Sequence, residues 1–69
     1  MFDMSLEAKA LLQSERLAAV LAQIERQGRI RVDEAAARFG VSAETVRRDL
    51  KLLASKGRAE LVRGGAILV

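Results

Sequence analysis

The sequence contains no cysteine, no histidine and no proline, and its only aromatic residues are Phe2 and Phe39. Without cysteine or histidine there are no disulfides, no thiolate or imidazole metal ligands, and no cysteine nucleophile or histidine general base. The Asp and Glu residues are scattered at positions that read as helix caps or solvated helix surface, so neither a metal site nor an enzyme is expected, and no cofactor is implied. Two aromatic rings are too few for a surface that stacks unpaired bases. The lack of proline and of low-complexity runs argues against an internal linker. No apolar run approaches the roughly 18 residues that a bilayer crossing needs, and the start "MFDMSLE" lacks a basic n-region and an apolar h-region. A cytoplasmic protein is expected.

What is present is a 69-residue chain, 51% hydrophobic and 30% charged. That is one domain, of a size that buries only about 60% of the surface its unfolded chain exposes. The net charge is +3, and it is unevenly distributed. Residues 1–46 carry six basic and seven acidic side chains, whereas residues 47–69 carry six basic and two acidic. A positive field confined to the C-terminal third points to a polyanionic partner, nucleic acid before membrane.

Leu17, Val20, Leu21 and Ile24 recur at i, i+3, i+4 and i+7, which predicts an amphipathic helix over "SERLAAVLAQIERQ" closed by Gly28. The preceding residues, 1–13, either prolong this helix or form an N-terminal arm, and the domain proper is expected over 14–69. "RIRV" alternates charged and branched residues, a short strand with Ile30 and Val32 on one face. Asp33 is placed to cap a short helix, "EAAARF", ended by Gly40. Ser42 caps the next helix, with Val41 and Val46 positioned as a hydrophobic staple. A short helix, a Gly-containing tight turn and a longer capped helix is the helix-turn-helix pattern.

On that longer helix Val46, Leu50 and Leu53 share one face, while Glu44, Arg47, Arg48 and Lys51 gather on the other and Thr45 lies at its leading edge. Leu52 belongs to neither group and is expected to pack on a neighbouring element. Asp49 is expected to temper the surrounding cations or to pair with one of them. After Gly57, "RAELVR" and "AILV" flank Gly64-Gly65 and read as a β-hairpin with the two glycines at its turn. Arg63 then faces Ala66, Val62 pairs with Ile67, and Leu61 with Leu68, with Ile30 to Val32 available as a third strand. The expected fold is α+β, mainly α: a winged helix-turn-helix of three helices and a two- to three-stranded antiparallel sheet.

The second helix of a helix-turn-helix enters the major groove of B-form DNA with its N-terminal residues leading. The candidate contacts are therefore Ser42, Thr45, Arg47, Arg48 and Lys51. The hydroxyls suit phosphates or base edges, and the cations suit either guanine readout or phosphate neutralisation. Arg38 on the first helix of the pair is placed either to touch the DNA backbone or to be solvated. Arg58, Arg63, Gly64 and Gly65 form the candidate wing contact, because a turn without side chains can lie close to the backbone. Arg29 and Arg31 read as the solvent face of a strand.

"FGVSAETVRRDLKLLASKG" followed by "GGA" resembles the N-terminal DNA-binding domain of the DeoR family of bacterial transcriptional regulators, over roughly Arg16 to Ala66. That family characteristically shows Val-Ser, two variable residues, Thr-Ile/Val-Arg-Arg-Asp-Leu, then Gly and a Gly-Gly-Ala wing. Where the family commonly has Arg-x-His before Gly-Gly-Ala, this chain has Leu61, Val62 and Arg63, so wing charge moves toward the turn. The resemblance implies sequence-specific binding of double-stranded DNA by a regulator, a repressor in most of the family, with Ser42, Thr45, Arg47 and Arg48 in or near the interface. It also implies a C-terminal effector-sensing domain through which such regulators form homodimers or higher oligomers. No part of these 69 residues reads as that domain, and the apolar "AILV" at the end favours a piece of a longer regulator over a naturally short protein. A winged helix serving as a protein-interaction module, with Leu52 and "AILV" meeting the partner, is the alternative from another class.

Overall fold

The computed structural model describes residues 4–69, with side chains from residue 13 onward. Residues 1–3 of the expected arm lie outside the described residues. The first element, α1, spans Met4–Gln27, followed by β1 (Arg29–Arg31), α2 (Val32–Phe39), α3 (Ala43–Ser55), β2 (Ala59–Val62) and β3 (Gly65–Leu68). The three strands form one antiparallel sheet in the order β1-β3-β2. Helix, strand, two helices joined by a tight turn, and a hairpin make a winged helix-turn-helix, mainly helical.

The core is assembled from one stripe of each helix and the inner face of the sheet. Val20 and Ile24 come from α1, Val32 and Ala35 from α2, Val46, Leu50 and Leu53 from α3, and Ile30, Ala59 and Ala66 from the strands. Leu17, Leu21, Phe39 and Val41 pack around it, partly buried. The two sheet alanines are small where the helices approach the sheet, and the larger branched residues fill the space between helices.

Local chemistry accounts for the helix ends. Ser42 Oγ accepts from Thr45 N at 3.1 Å, the expected N-cap of α3. At the other end Gly57 N donates to the Ala54 carbonyl and Arg58 N to the Leu53 carbonyl, the paired bonds of a Schellman stop. Asp33 departs from expectation: α2 begins at Val32, so Asp33 lies inside the first turn, where it accepts from Glu34 N at 2.8 Å and does not cap. The strand accordingly ends at Arg31, and Val32 reaches the core from the helix. Leu52 is not among the residues that pack against the core and stays 40% exposed.

The hairpin also differs from expectation: its turn lies one residue earlier, which shifts each strand partner by two. Val62 pairs with Gly65, Leu61 with Ala66, Glu60 with Ile67 and Ala59 with Leu68, which makes Arg63-Gly64 the two-residue turn. Only Gly64 of the glycine pair has a positive φ, 79°. Gly65 belongs to the strand, and its lack of a side chain serves another purpose: a Cβ there would lie 2.0 Å from the Ile30 carbonyl oxygen. The cause is β1, which pairs Arg31 with Gly65 and draws its backbone against β3. Periodicity within the hairpin carries no trace of that neighbour, so the two glycines look interchangeable in sequence.

They are not interchangeable in substitution. Gly64→Ala is expected to cost about 1–2 kcal/mol from the left-handed backbone, and Gly64→Asn less, since Asn tolerates that region. Gly65→Ala and Gly65→Asn both force the backbones of β1 and β3 apart and are expected to reach or exceed the upper end of the about 1–3 kcal/mol typical of overpacking. Urea denaturation of the four variants, with recovery by Asn at position 64 alone, checks this.

Candidate nucleic-acid interface

The N-terminus of α3 carries two hydroxyls held together. Ser42 Oγ lies 3.0 Å from Thr45 Oγ1 while also capping the helix, so both groups are oriented at the end that presents free backbone N–H donors. One turn further on, Arg47, Arg48 and Lys51 are all exposed. Arg48 Nη2 stands 3.8 Å from Glu44 Oε2 in a solvent-exposed i,i+4 pair, which contributes little and releases easily. Among the described residues Arg47 and Lys51 have no carboxylate within ion-pair distance.

Tertiary structure brings these two cations against the wing. Arg47, Leu50 and Lys51 of α3, Val32 of α2, and Leu61, Val62, Gly64 and Gly65 of the hairpin line a cleft of about 180 Å³. The wing tip is fixed to the helix pair directly, because Val32 N, at the start of α2, donates to the Gly64 carbonyl at 2.8 Å. Four of the sequence candidates, Arg47, Lys51, Gly64 and Gly65, thus share one concave surface.

The others lie elsewhere. Arg63 lines a separate concavity on the outer face of the sheet. Arg58 stands at the base of the hairpin, five residues from Arg63 and so roughly 16 Å away along an extended strand, and its Nη2 donates to Glu25 Oε2 of α1 at 3.2 Å. Arg38 donates to Gln23 Oε1 at 2.7 Å and lies over the Phe39 ring, tying α2 to α1.

Asp49 corrects the sequence expectation most sharply. It pairs with none of the neighbouring cations. Its carboxylate accepts two bonds from Arg16 of α1, Nε to Oδ2 and Nη2 to Oδ1, the latter at 3.2 Å. Both side chains are largely buried, 10% exposed for Arg16 and 6% for Asp49. The hydrogen bond to Asp49 raises the Arg16 pKa above its ordinary value, with burial opposing and Coulomb attraction adding. Because that folded-state pKa is raised, the associated stability is complete throughout the neutral range and fades only in strong alkali. A usable signal existed in the sequence: Asp49 is three residues after Val46 and four before Leu53, on the apolar stripe. At 100° per residue it sits roughly 160° from both Arg47 and Lys51.

Among the described residues no group of three or more acidic side chains converges as a metal site, and no helix is long and apolar enough to cross a membrane.

Comparison with known proteins gives two matches. The family model of the DeoR-like helix-turn-helix domain matches residues 16–69. The chain is also 35% identical over 66 residues to a putative aga operon transcriptional repressor of Escherichia coli O157:H7, covering 96% of this chain and 24% of that protein. The chain therefore spans about a quarter of the length of the relative it matches. No solved structure matches it significantly.

Removing one partner of the Arg16–Asp49 pair strands the other charge in a poorly solvated site. Asp49→Ala and Arg16→Ala are each expected to destabilise by about 3–5 kcal/mol, whereas the apolar double variant Arg16→Met/Asp49→Leu recovers most of that loss or all of it. Thermal and denaturant melts of the three variants against wild type measure the difference.

Proposed function

The chain belongs to the DeoR-like helix-turn-helix family, a family of transcription-regulator domains and not of enzymes, and on that footing we propose that it binds double-stranded DNA sequence-specifically as the DNA-reading part of a repressor. In this reading α3 enters the major groove. Thr45 and Ser42 lead, Arg47 and Lys51 meet the groove wall or base edges, and Arg48 exchanges Glu44 for a phosphate. Arg63, Gly64 and Gly65 lie along the flanking backbone. Arg58 contributes only by giving up Glu25, so its substitution has the smallest effect of the basic set. Repression works by occluding promoter DNA, in the cytoplasm, and requires no chemistry or cofactor. The domain takes residues 14–69, preceded by an arm or helix extension over 1–13. Two-fold operators are read by paired domains, so a homodimer or larger oligomer, formed through a C-terminal effector domain beyond these 69 residues, is the proposed working state.

The observation that carries this reading is the cleft between α3 and the hairpin, where two cations without carboxylate partners among the described residues share a concave surface with Gly64 and Gly65 of the wing. The similarity to a protein named as a transcriptional repressor supports the direction of regulation. The exposed Leu52, Leu61 and Leu68 favour a second reading, docking of a protein partner on an apolar surface.

Fluorescence anisotropy with a mixed-sequence duplex pool at several salt concentrations separates the two. Binding is expected to weaken steeply with salt, each neutralised phosphate adding about −0.9 to the slope of log K against log salt. The Arg47→Ala/Arg48→Ala variant is expected to bind at least about tenfold more weakly, the loss of one good contact being about 1–3 kcal/mol. A shallower slope in that variant assigns the arginines to phosphates, and an unchanged slope assigns them to bases. A folded wild-type chain that ignores duplex DNA even at low salt leaves the protein-docking reading.

A further inference from the structure

The outer face of the sheet carries a second basic surface. Arg29 and Arg31 flank the buried Ile30 on β1, so the pleat turns both away from the core. They pair with Ile67 and Gly65 of β3. With Arg63 from the hairpin turn they line a concavity of about 470 Å³, floored by Val62, Gly65 and Ile67. Arg29 and Arg63 have no carboxylate within ion-pair distance among the described residues, and Arg31 has only the exposed Asp33, at 3.4 Å. Glu60 shares this face but lies on the far strand, opposite Ile67, and does not line the concavity. The positive end of the surface is therefore the end near the wing tip.

Two features separate this surface from an ordinary solvated strand. Its cations converge from β1 and from the hairpin turn, segments remote in sequence. It also lies back to back with the α3 cleft, because Val62, Gly64 and Gly65 line both. At Gly65 the floor beside Arg31 is bare backbone, packed against β1, so an extended chain can pass over the sheet against backbone. Arg29 and Arg31 are spaced about 6.6 Å apart along the strand, comparable to the roughly 6 Å width of the minor groove. Three guanidiniums around an open, partly apolar floor suit a sugar-phosphate backbone, which offers charge for the forks and an apolar sugar edge for Ile67 and Val62.

We propose that Arg29, Arg31 and Arg63 form a second phosphate-binding site on the outer face of the sheet, so that the wing is straddled by the duplex: the α3 cleft grips the backbone on one side of the tip and the β1 arginines grip it on the other. Asp33 weakens this grip by competing for Arg31. The inference rests on the DNA-binding reading and extends it to a strand outside the helix-turn-helix and the hairpin.

The test is anisotropy binding of wild type, Arg29→Ala/Arg31→Ala and Asp33→Asn to a mixed-sequence duplex across a salt series, with melting curves to establish that each variant is folded. The double variant, altered only on an exposed face, is expected to keep its melting temperature, bind more weakly, and show a salt slope shallower by about 1.8, two phosphates at about 0.9 each. Asp33→Asn is expected to bind more tightly than wild type. On a duplex trimmed to the segment under α3, wild type and the double variant are expected to bind alike. If the folded double variant binds the long duplex with wild-type affinity and slope, the outer-face site is overturned while the DNA-binding reading stands. If wild type itself does not bind duplex, both are overturned.

Discussion

Helix α3 is tied from behind to α1 by one guanidinium–carboxylate contact, which adds a directional constraint to the core packing of Val46, Leu50 and Leu53. Arg16 and Asp49 are 33 residues apart and meet with two hydrogen bonds in a site that water barely reaches. An apolar pair in the same place would fill the volume, but it would add no directional constraint to the buried stripe, because apolar contact is non-directional. Bidentate geometry has one good solution. Asp49 also sits on the side of α3 opposite Arg47 and Lys51, so its negative charge is consumed by α1 and leaves the outward cationic face unneutralised.

A second constraint joins the wing to the helices. The tip is bound to the first residue of α2 through Val32 N and the Gly64 carbonyl, and Gly65 lets β1 lie against β3 more closely than any side chain permits. The short helix, the wing tip and the third strand are thus joined by direct backbone contact. A chain this small has few apolar residues to spend on rigidity, and it obtains some from backbone contact where no side chain intervenes.

These constraints account for how the basic residues divide. Arg16 and Arg58 are bound to carboxylates of other elements and serve the fold, and Arg38 does the same through Gln23. Arg47, Lys51, Arg29 and Arg63 keep no carboxylate partner among the described residues, and they lie on the two sides of the hairpin tip. Apart from Arg29 these cations belong to residues 47–69, so the excess positive charge of the C-terminal third is largely charge that folding leaves unused.

Much of this was legible in the sequence, because it depends on spacing within single elements. The 3.6-residue stripes of α1 and α3, the Ser42 cap, the glycine stops and the Arg-Arg-Asp-Leu pattern ahead of Gly-Gly-Ala each encode a local geometry, and together they determined the element order and the outward face of α3. What tertiary structure alone decided were the relations between distant segments. The partner of Asp49 is a residue in another helix, the third strand of the sheet precedes the hairpin by nearly thirty residues, and Arg29 and Arg31 stand beside the wing only because β1 pairs with β3. The reason is physical: periodicity records which side of an element faces inward, whereas the identity of the group it meets there depends on packing between elements that no local pattern specifies.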